Sequence, residues 1–185
     1  MAIWYKTGVE DKMEPVSLAR EDMGLDVYLC ASGPSLANVR DSDLHVNGSL
    51  VAAVNNAYPH IKPDMWFGLD DFHCFDSTLW TQPFMKFVRK AYGDRTYHGI
   101  DIGYQHNTYY ADIAQYDGES HYKKPYPNGR ILYEHYTEDH EKIFYNRNLD
   151  HNFLHFDSCR FATSILLYLG AKKIFLVGMD LNISL

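Results

Sequence analysis

The chain has 185 residues, 46% of them apolar, and a formal net charge of −7. That length fits one domain and that apolar share can fill a core, so a disordered chain is excluded. The acidic balance disfavours unspecific nucleic-acid binding, which needs a basic surface against phosphates, and no run approaches the roughly 20 apolar residues of a membrane span.

Residues 1–24 read as a polar lead-in. Trp4, Tyr5, Lys6, Glu10 and Asp11 stand where a secretory signal would carry an apolar run. Three cysteines, Cys30, Cys74 and Cys159, are odd in number, far apart and without metal-type spacing. The expected compartment is a reducing cytoplasm.

The segment Asp26-Val-Tyr-Leu-Cys-Ala-Ser-Gly-Pro-Ser-Leu36 is a short apolar strand, about Val27 to Ala31, running into a tight turn. Gly33 allows close backbone approach, Pro34 stiffens the turn and Ser35 can cap a helix. A strand that meets a helix start aims free amides at one spot, where a phosphate can sit. Leu36 to about Leu44 begins a short helix or turn. Leu50 to Val54 is a second apolar strand and ends in Asn55 and Asn56. Met65 to Leu69 is a third and ends in Asp70 and Asp71. Pro59 and Pro63 mark the loop between them.

Thr81 to Tyr92 looks helical, with Phe84, Phe87 and Val88 on one face and Gly93 as a stop. Arg95 to Ile100 is a candidate fourth strand. Residues 103–157 lose apolar periodicity, and Pro125-Tyr-Pro-Asn-Gly129 is a strong turn signal. The 15 Tyr and ten His concentrate between Tyr92 and His155, as a polar insertion or lid would have them. His135 and His140, and His151 and His155, are spaced for a metal, yet no Glu follows His151 as a helical zinc motif requires. No metal ligand set is therefore assigned to the histidines. Asp157 or Ser158 caps a helix to Leu169, with Gly170 as its stop, and Lys173 to Val177 is a last strand, ending at Asp180.

Strands alternating with helices give an α/β fold. It is expected to be a Rossmann-like parallel sheet with helices on both faces, one domain over 1–185, and a Tyr/His-rich insertion at about 103–157. Because such sheets bind ligands outside the carboxyl ends of their strands, four polar strand ends point to one shared site. A chain that stops five residues past Asp180 is expected to be incomplete at its C-terminus.

Three blocks carry a family resemblance. They are Ser32-Gly-Pro-Ser-Leu36, Ala53-Val-Asn-Asn-Ala-Tyr58, and Ser158 through the Leu-Gly turn to Phe175-Leu-Val-Gly-Met-Asp180. Together they resemble the bacterial sialyltransferases of glycosyltransferase family 42. They also resemble a related group with 6-hydroxymethylpterin diphosphokinases and phage-encoded proteins. The resemblance covers residues 26–71 and 157–182. It implies a nucleotide-binding cleft with Ser32, Gly33, Pro34 and Ser35 at the phosphates and Asn55, with Asn56 beside it, at a cytidine nucleotide. Ser158 and Cys159 stand at the helix start and Asp180 at the edge of the cleft. Cys159 replaces a family glycine, Asn182 replaces a tyrosine, and the family's catalytic histidine has no counterpart here.

The catalytic candidates are then Asp70 and Asp71, as base or as oxygen ligands. Three functions are weighed. The first is a glycosyltransferase-like protein that binds a nucleotide-activated sugar, with a CMP-sugar as the sialyltransferase-like donor and no cofactor required. The second is a diphosphokinase that uses magnesium through Asp70 or Asp71. The third is a non-catalytic nucleotide- or sugar-binding phage accessory protein. The expected partner is a nucleotide or nucleotide-sugar, with no nucleic acid and no membrane span, and the oligomeric state is left open.

Overall fold

The computed structural model describes residues 3–6, 13–16, 23–89, 92–105, 107–111, 123–125, 131–133 and 158–180. In chain order the strands are β1 (Ile3–Lys6), β2 (Met13–Val16), β3 (Asp26–Cys30), β4 (Leu50–Val54), β5 (Met65–Gly68) and β6 (Met85–Arg89). They continue with β7 (Thr96–Tyr97), β8 (Ile100–Asp101), β9 (Thr108–Ala111), β10 (Lys123–Pro125) and β11 (Ile131–Tyr133). Helix α1 (Ser158–Tyr168) and strand β12 (Lys173–Val177) follow.

Eight strands form one sheet in the order β12-β3-β4-β5-β6-β9-β1-β2. The first six are mutually parallel. β1 and β2 add an antiparallel edge beyond β9. From β3 the chain steps outward through β4, β5, β6 and β9, then returns to lay β12 on the other side of β3. The strand order therefore reverses between β3 and β12, the position at which open α/β sheets form a ligand crevice. This is the Rossmann-like α/β arrangement expected from the sequence, except that among the described residues α1 covers one face and 3₁₀ turns stand where helices were expected on the other.

The inner parallel strands β3, β4, β5 and β6 are apolar on both sides because both faces of the sheet are covered there, while edge strand β12 leaves Phe175 and Leu176 exposed. On one face Val27, Leu29, Ala52, Val54 and Phe67 pack under Phe161, Ala162, Ile165 and Leu166 of α1. Phe67 stacks on Phe87 at 5.0 Å and meets Phe161 edge-on at 5.9 Å. Each large apolar side chain buried here contributes about 1.5–3 kcal/mol. Helix α1 ends in a Schellman turn: Ala171 N–H reaches Leu166 O, Gly170 N–H reaches Leu167 O, and Gly170 has φ 84°.

The other face is covered by short 3₁₀ turns. Leu36, Ala57, Ile61, Phe75, Leu79 and Trp80 close over Val51, Ala53, Trp66 and Val88. Trp66 meets Phe75 at 4.9 Å and Trp80 at 6.0 Å, both edge-on. Asp71, Asp76 and Asp101 each accept the amide two residues on and so start three of these turns. Pro59 and Pro63 keep the β4–β5 crossover from forming a longer helix.

Four expectations are corrected. The expected helix over Thr81–Tyr92 holds strand β6, and its residues pair with β5 and β9. Phe87 packs on the α1 face and Val88 on the opposite face. A strand buried on both sides loses its alternation and imitates a helix stripe. The expected strand over Arg95–Ile100 is the small antiparallel pair β7–β8, outside the main sheet. The lead-in contains β1 and β2 as sheet members, and the segment read as an insertion contributes β9 to the main sheet. Beyond β9, β10 and β11 pair antiparallel, flanking the turn signal read at Pro125–Gly129. His106, His121, His135, His140, His151, His155, Asp157 and Asn182 lie outside the described residues.

Among the described residues one charged side chain is buried. Lys86 on β6 is fully buried, and its Nζ donates to Gln82 O at 2.6 Å and Phe84 O at 3.1 Å. Burial pushes its pKa down to about 8.

Candidate functional site

Gly33, Asn55, Asp70 and Asp180 follow the carboxyl ends of β3, β4, β5 and β12, four adjacent parallel strands, so all stand on one edge of the sheet. Ser158 joins them by a specific bond. Its hydroxyl accepts the buried Leu69 N–H at 3.2 Å, tying the first turn of α1 to the end of β5.

At the β3–β12 end the chain satisfies itself. Ala31 N–H donates to Val177 O and Gly33 N–H to Gly178 O, both at 2.8 Å. Ser35 N–H donates to Asp180 Oδ2 at 2.6 Å, and Leu36 N–H returns to Gly33 O at 3.0 Å. The bond from Ser35 holds the Asp180 carboxyl below the usual range. Gly33 has φ −70°, so its conformation does not require glycine; space does. A Cβ there would overlap Gly178 O and stand 2.6 Å from Asp180 Oδ2. The turn is a 3₁₀ segment, Pro34–Asn38, whose Gly33, Ser35 and Leu36 amides already have partners. Ser32, Pro34 and Ser35 are exposed around it. A phosphate near this loop would meet the Asp180 carboxylate before it met those amides.

At the β4–β5 end the polar groups are less spent. Asn55 sits at φ 50°, a left-handed conformation that asparagine tolerates. Its backbone oxygen accepts Trp66 Nε1 at 2.8 Å, and its Nδ2 donates to Asp70 Oδ2 at 2.7 Å. Its Oδ1 is buried without a hydrogen-bond partner. Asn56, next in the chain, is exposed. Asp70 and Asp71 are both exposed, and Asp71 Oδ1 caps the next turn by accepting His73 N–H at 3.1 Å. The acidic pair is thus divided: Asp70 turns to Asn55, and Asp71 to the turn at Phe72–Cys74.

A further residue was not singled out from the sequence as a site residue. Tyr92 is 5% exposed, and its hydroxyl has no hydrogen-bond partner. Burial chiefly raises its pKa; Arg89 opposes the rise, and the charges of Asp71 and Asp70 add to it, so the phenol lies within electrostatic reach of the acidic pair. Its only sequence signal was a position in a segment read as helix end.

Cys159, on α1, is half-buried against the core, and Cys30, Cys74 and Cys159 form no disulfide with one another. Among the described residues no three His, Cys, Asp or Glu side chains form a metal-binding group, and no helix is long and apolar enough to cross a membrane. The oxygens that remain, on Asp70 and Asn55, are hard donors of the kind magnesium takes; it commonly uses one or two carboxylates and fills its sphere with water and phosphate. No protein-family model, curated protein or solved structure matches the chain.

Proposed function

We propose that this protein binds a nucleotide-activated sugar along the carboxyl edge of β3, β4, β5 and β12, and that its chemistry is glycosyltransferase-like. The observation that carries this is the Asn55–Asp70 pair with its unpartnered Asn55 Oδ1, on the same edge as the strand-order reversal. An acceptor oxygen held in place and left unpaired suits a ligand donor such as a base amine or a ribose hydroxyl. The partial resemblance to the sialyltransferases favours a cytidine nucleotide.

Sugar transfer needs a base for the acceptor hydroxyl and charge stabilisation for the departing phosphate. The Gly33, Ser35 and Leu36 amides of the first loop are engaged, so a divalent cation, if bound, would be held by Asp70 and would supply the charge stabilisation for the phosphate. Asp71, with one oxygen committed to His73 N–H, has the other for the acceptor proton. The acidic edge also favours a second reading, the magnesium-dependent diphosphokinase, because the same cation could serve ATP.

Titration calorimetry with CMP, UDP, GDP and ATP, each with and without magnesium, separates these readings. CMP or UDP binding that Asn55→Gly weakens about tenfold is the expected result. Preference for ATP with magnesium selects the diphosphokinase reading. Absence of binding by all four overturns both.

A further inference from the structure

Beyond the acidic pair the surface changes character. The turn Phe72–Cys74 and the β7–β8 hairpin bring Phe72, His73, Tyr97 and His98 together. Phe72 and His73 have ring centroids 3.8 Å apart, His73 and Tyr97 5.1 Å, and Tyr97 and His98 4.3 Å. His73 and His98 are exposed, and Phe72 and Tyr97 are half-exposed. Tyr97 OH donates to His73 O at 3.5 Å, a long bond that ties the hairpin to the turn. Phe72 also packs edge-on against Tyr92 at 5.8 Å, so the orphan Tyr92 hydroxyl belongs to an aromatic neighbour of this group.

We propose that this aromatic panel, with Asp71 at its margin, is a subsite for a neutral, hydroxyl-rich sugar ring, the acceptor of the proposed transfer. Aromatic rings present flat apolar faces that a sugar's C–H face can cover. A carboxylate at the margin accepts sugar hydroxyls as charge-assisted hydrogen bonds. Asp70 and Asp71 precede the turn and Asp76 follows it, which works against a phosphate or an acidic sugar on the panel. The Tyr92 hydroxyl, buried and without a hydrogen-bond partner on a ring packed edge-on against Phe72, is the second sign that a polar ligand group is missing at this place. The donor then lies toward Asn55 and Asp70 and the acceptor toward Asp71 and Tyr97, with the acidic pair between them.

The inference rests on the nucleotide-sugar reading only for the word acceptor; sugar binding can be tested separately. Saturation-transfer NMR on the full chain uses galactose, glucose, N-acetylglucosamine and lactose as probes, with sialic acid as the anionic control. At least one neutral sugar is expected to receive saturation, and sialic acid to receive less. Tyr97→Ala and His73→Ala are each expected to cut that signal at least fivefold, and Tyr97→Phe to keep most of it. Thermal melts confirm that each variant is folded, and His73→Ala leaves the backbone cap on Asp71 in place. CMP affinity is expected to be unchanged in all of them, so loss of CMP binding in the parent protein sinks the nucleotide reading without touching this one. No saturation of any neutral sugar, or a signal undiminished in both folded alanine variants, overturns the panel as a sugar site.

Discussion

The two ends of the same sheet edge use their polar groups in opposite ways. At β3–β12, Asp180 takes the Ser35 amide, Gly33 donates to Gly178, and a glycine leaves no more room than the backbone needs. At β4–β5, Asn55 Oδ1 and the Tyr92 hydroxyl are buried and unpaired, and two carboxylates face solvent. Unpaired buried polar groups each cost about 1–3 kcal/mol, a cost a fold retains most readily where a ligand repays it. The difference teaches that a Gly-Pro-Ser turn after a strand can be a closure device, while the unspent polar groups of the same edge lie at a less conspicuous Asn–Asp pair.

The comparison breaks first at the closed end. Gly178 has φ 67°, and a Cβ there would overlap Ala31 O and stand 3.0 Å from Leu36 Cβ. Gly178→Ala is expected to cost about 3 kcal/mol, combining left-handed strain with overpacking, in urea unfolding. Gly33→Ala is expected to cost somewhat less, since its φ is ordinary. If either variant instead weakens nucleotide binding at unchanged stability, the closed end is not merely structural.

Ser158→Ala tests the bolt between α1 and the open end. It strands the buried Leu69 N–H, and the expected loss is about 1–3 kcal/mol by the same measurement.

Lys86, near the amino end of β6, is a control remote in role from both ends. Its folded pKa of about 8 lies below the ordinary 10.5 of an unfolded lysine, so the folded state binds fewer protons between those values. Its destabilising contribution is therefore full below pH 8 and fades as pH rises toward 10.5. Lys86→Met is expected to raise stability at pH 7 by about 1–2 kcal/mol, the two carbonyl bonds having offset part of the burial cost. Its advantage over the parent should shrink by pH 9.5. The Cys30 thiol, pushed up to about 11 by burial, and the Tyr92 phenol lower stability at alkaline pH in both proteins and cancel in the comparison. An advantage independent of pH refutes the buried-charge account.

The smallest stability effects belong to the open end. Asn55→Gly keeps the left-handed backbone and the Trp66 bond while removing the side chain. It and Asp70→Asn are expected to shift stability by less than about 1 kcal/mol. Their larger effect, about tenfold each, is expected in nucleotide affinity by calorimetry. Large unfolding effects with unchanged affinity would make the open end structural as well.

Local pattern determined the four strands at β3, β4, β5 and β12 and the helix α1. Their apolar runs are short, bounded by Gly, Pro and Asp, and consistent with one state only. It also determined that Gly33, Asn55, Asp70 and Asp180 end neighbouring strands, because alternation with helix or turn makes the strands parallel. Tertiary structure decided the rest. Whether Phe84-Met-Lys-Phe-Val88 became helix or strand depended on burial from both faces, which no periodicity encodes. Whether β1, β2 and β9 joined the sheet depended on hydrogen bonds to strands far along the chain. The roles of Asp70, Asp71 and Asp180 were settled by distance alone. One carboxylate found Asn55, one found the amide two residues ahead, and one found Ser35 across 145 residues of chain. Identical side chains took different roles because a hydrogen bond is set by which donor the fold brings within about 3 Å, and of these donors only His73 N–H is close in sequence.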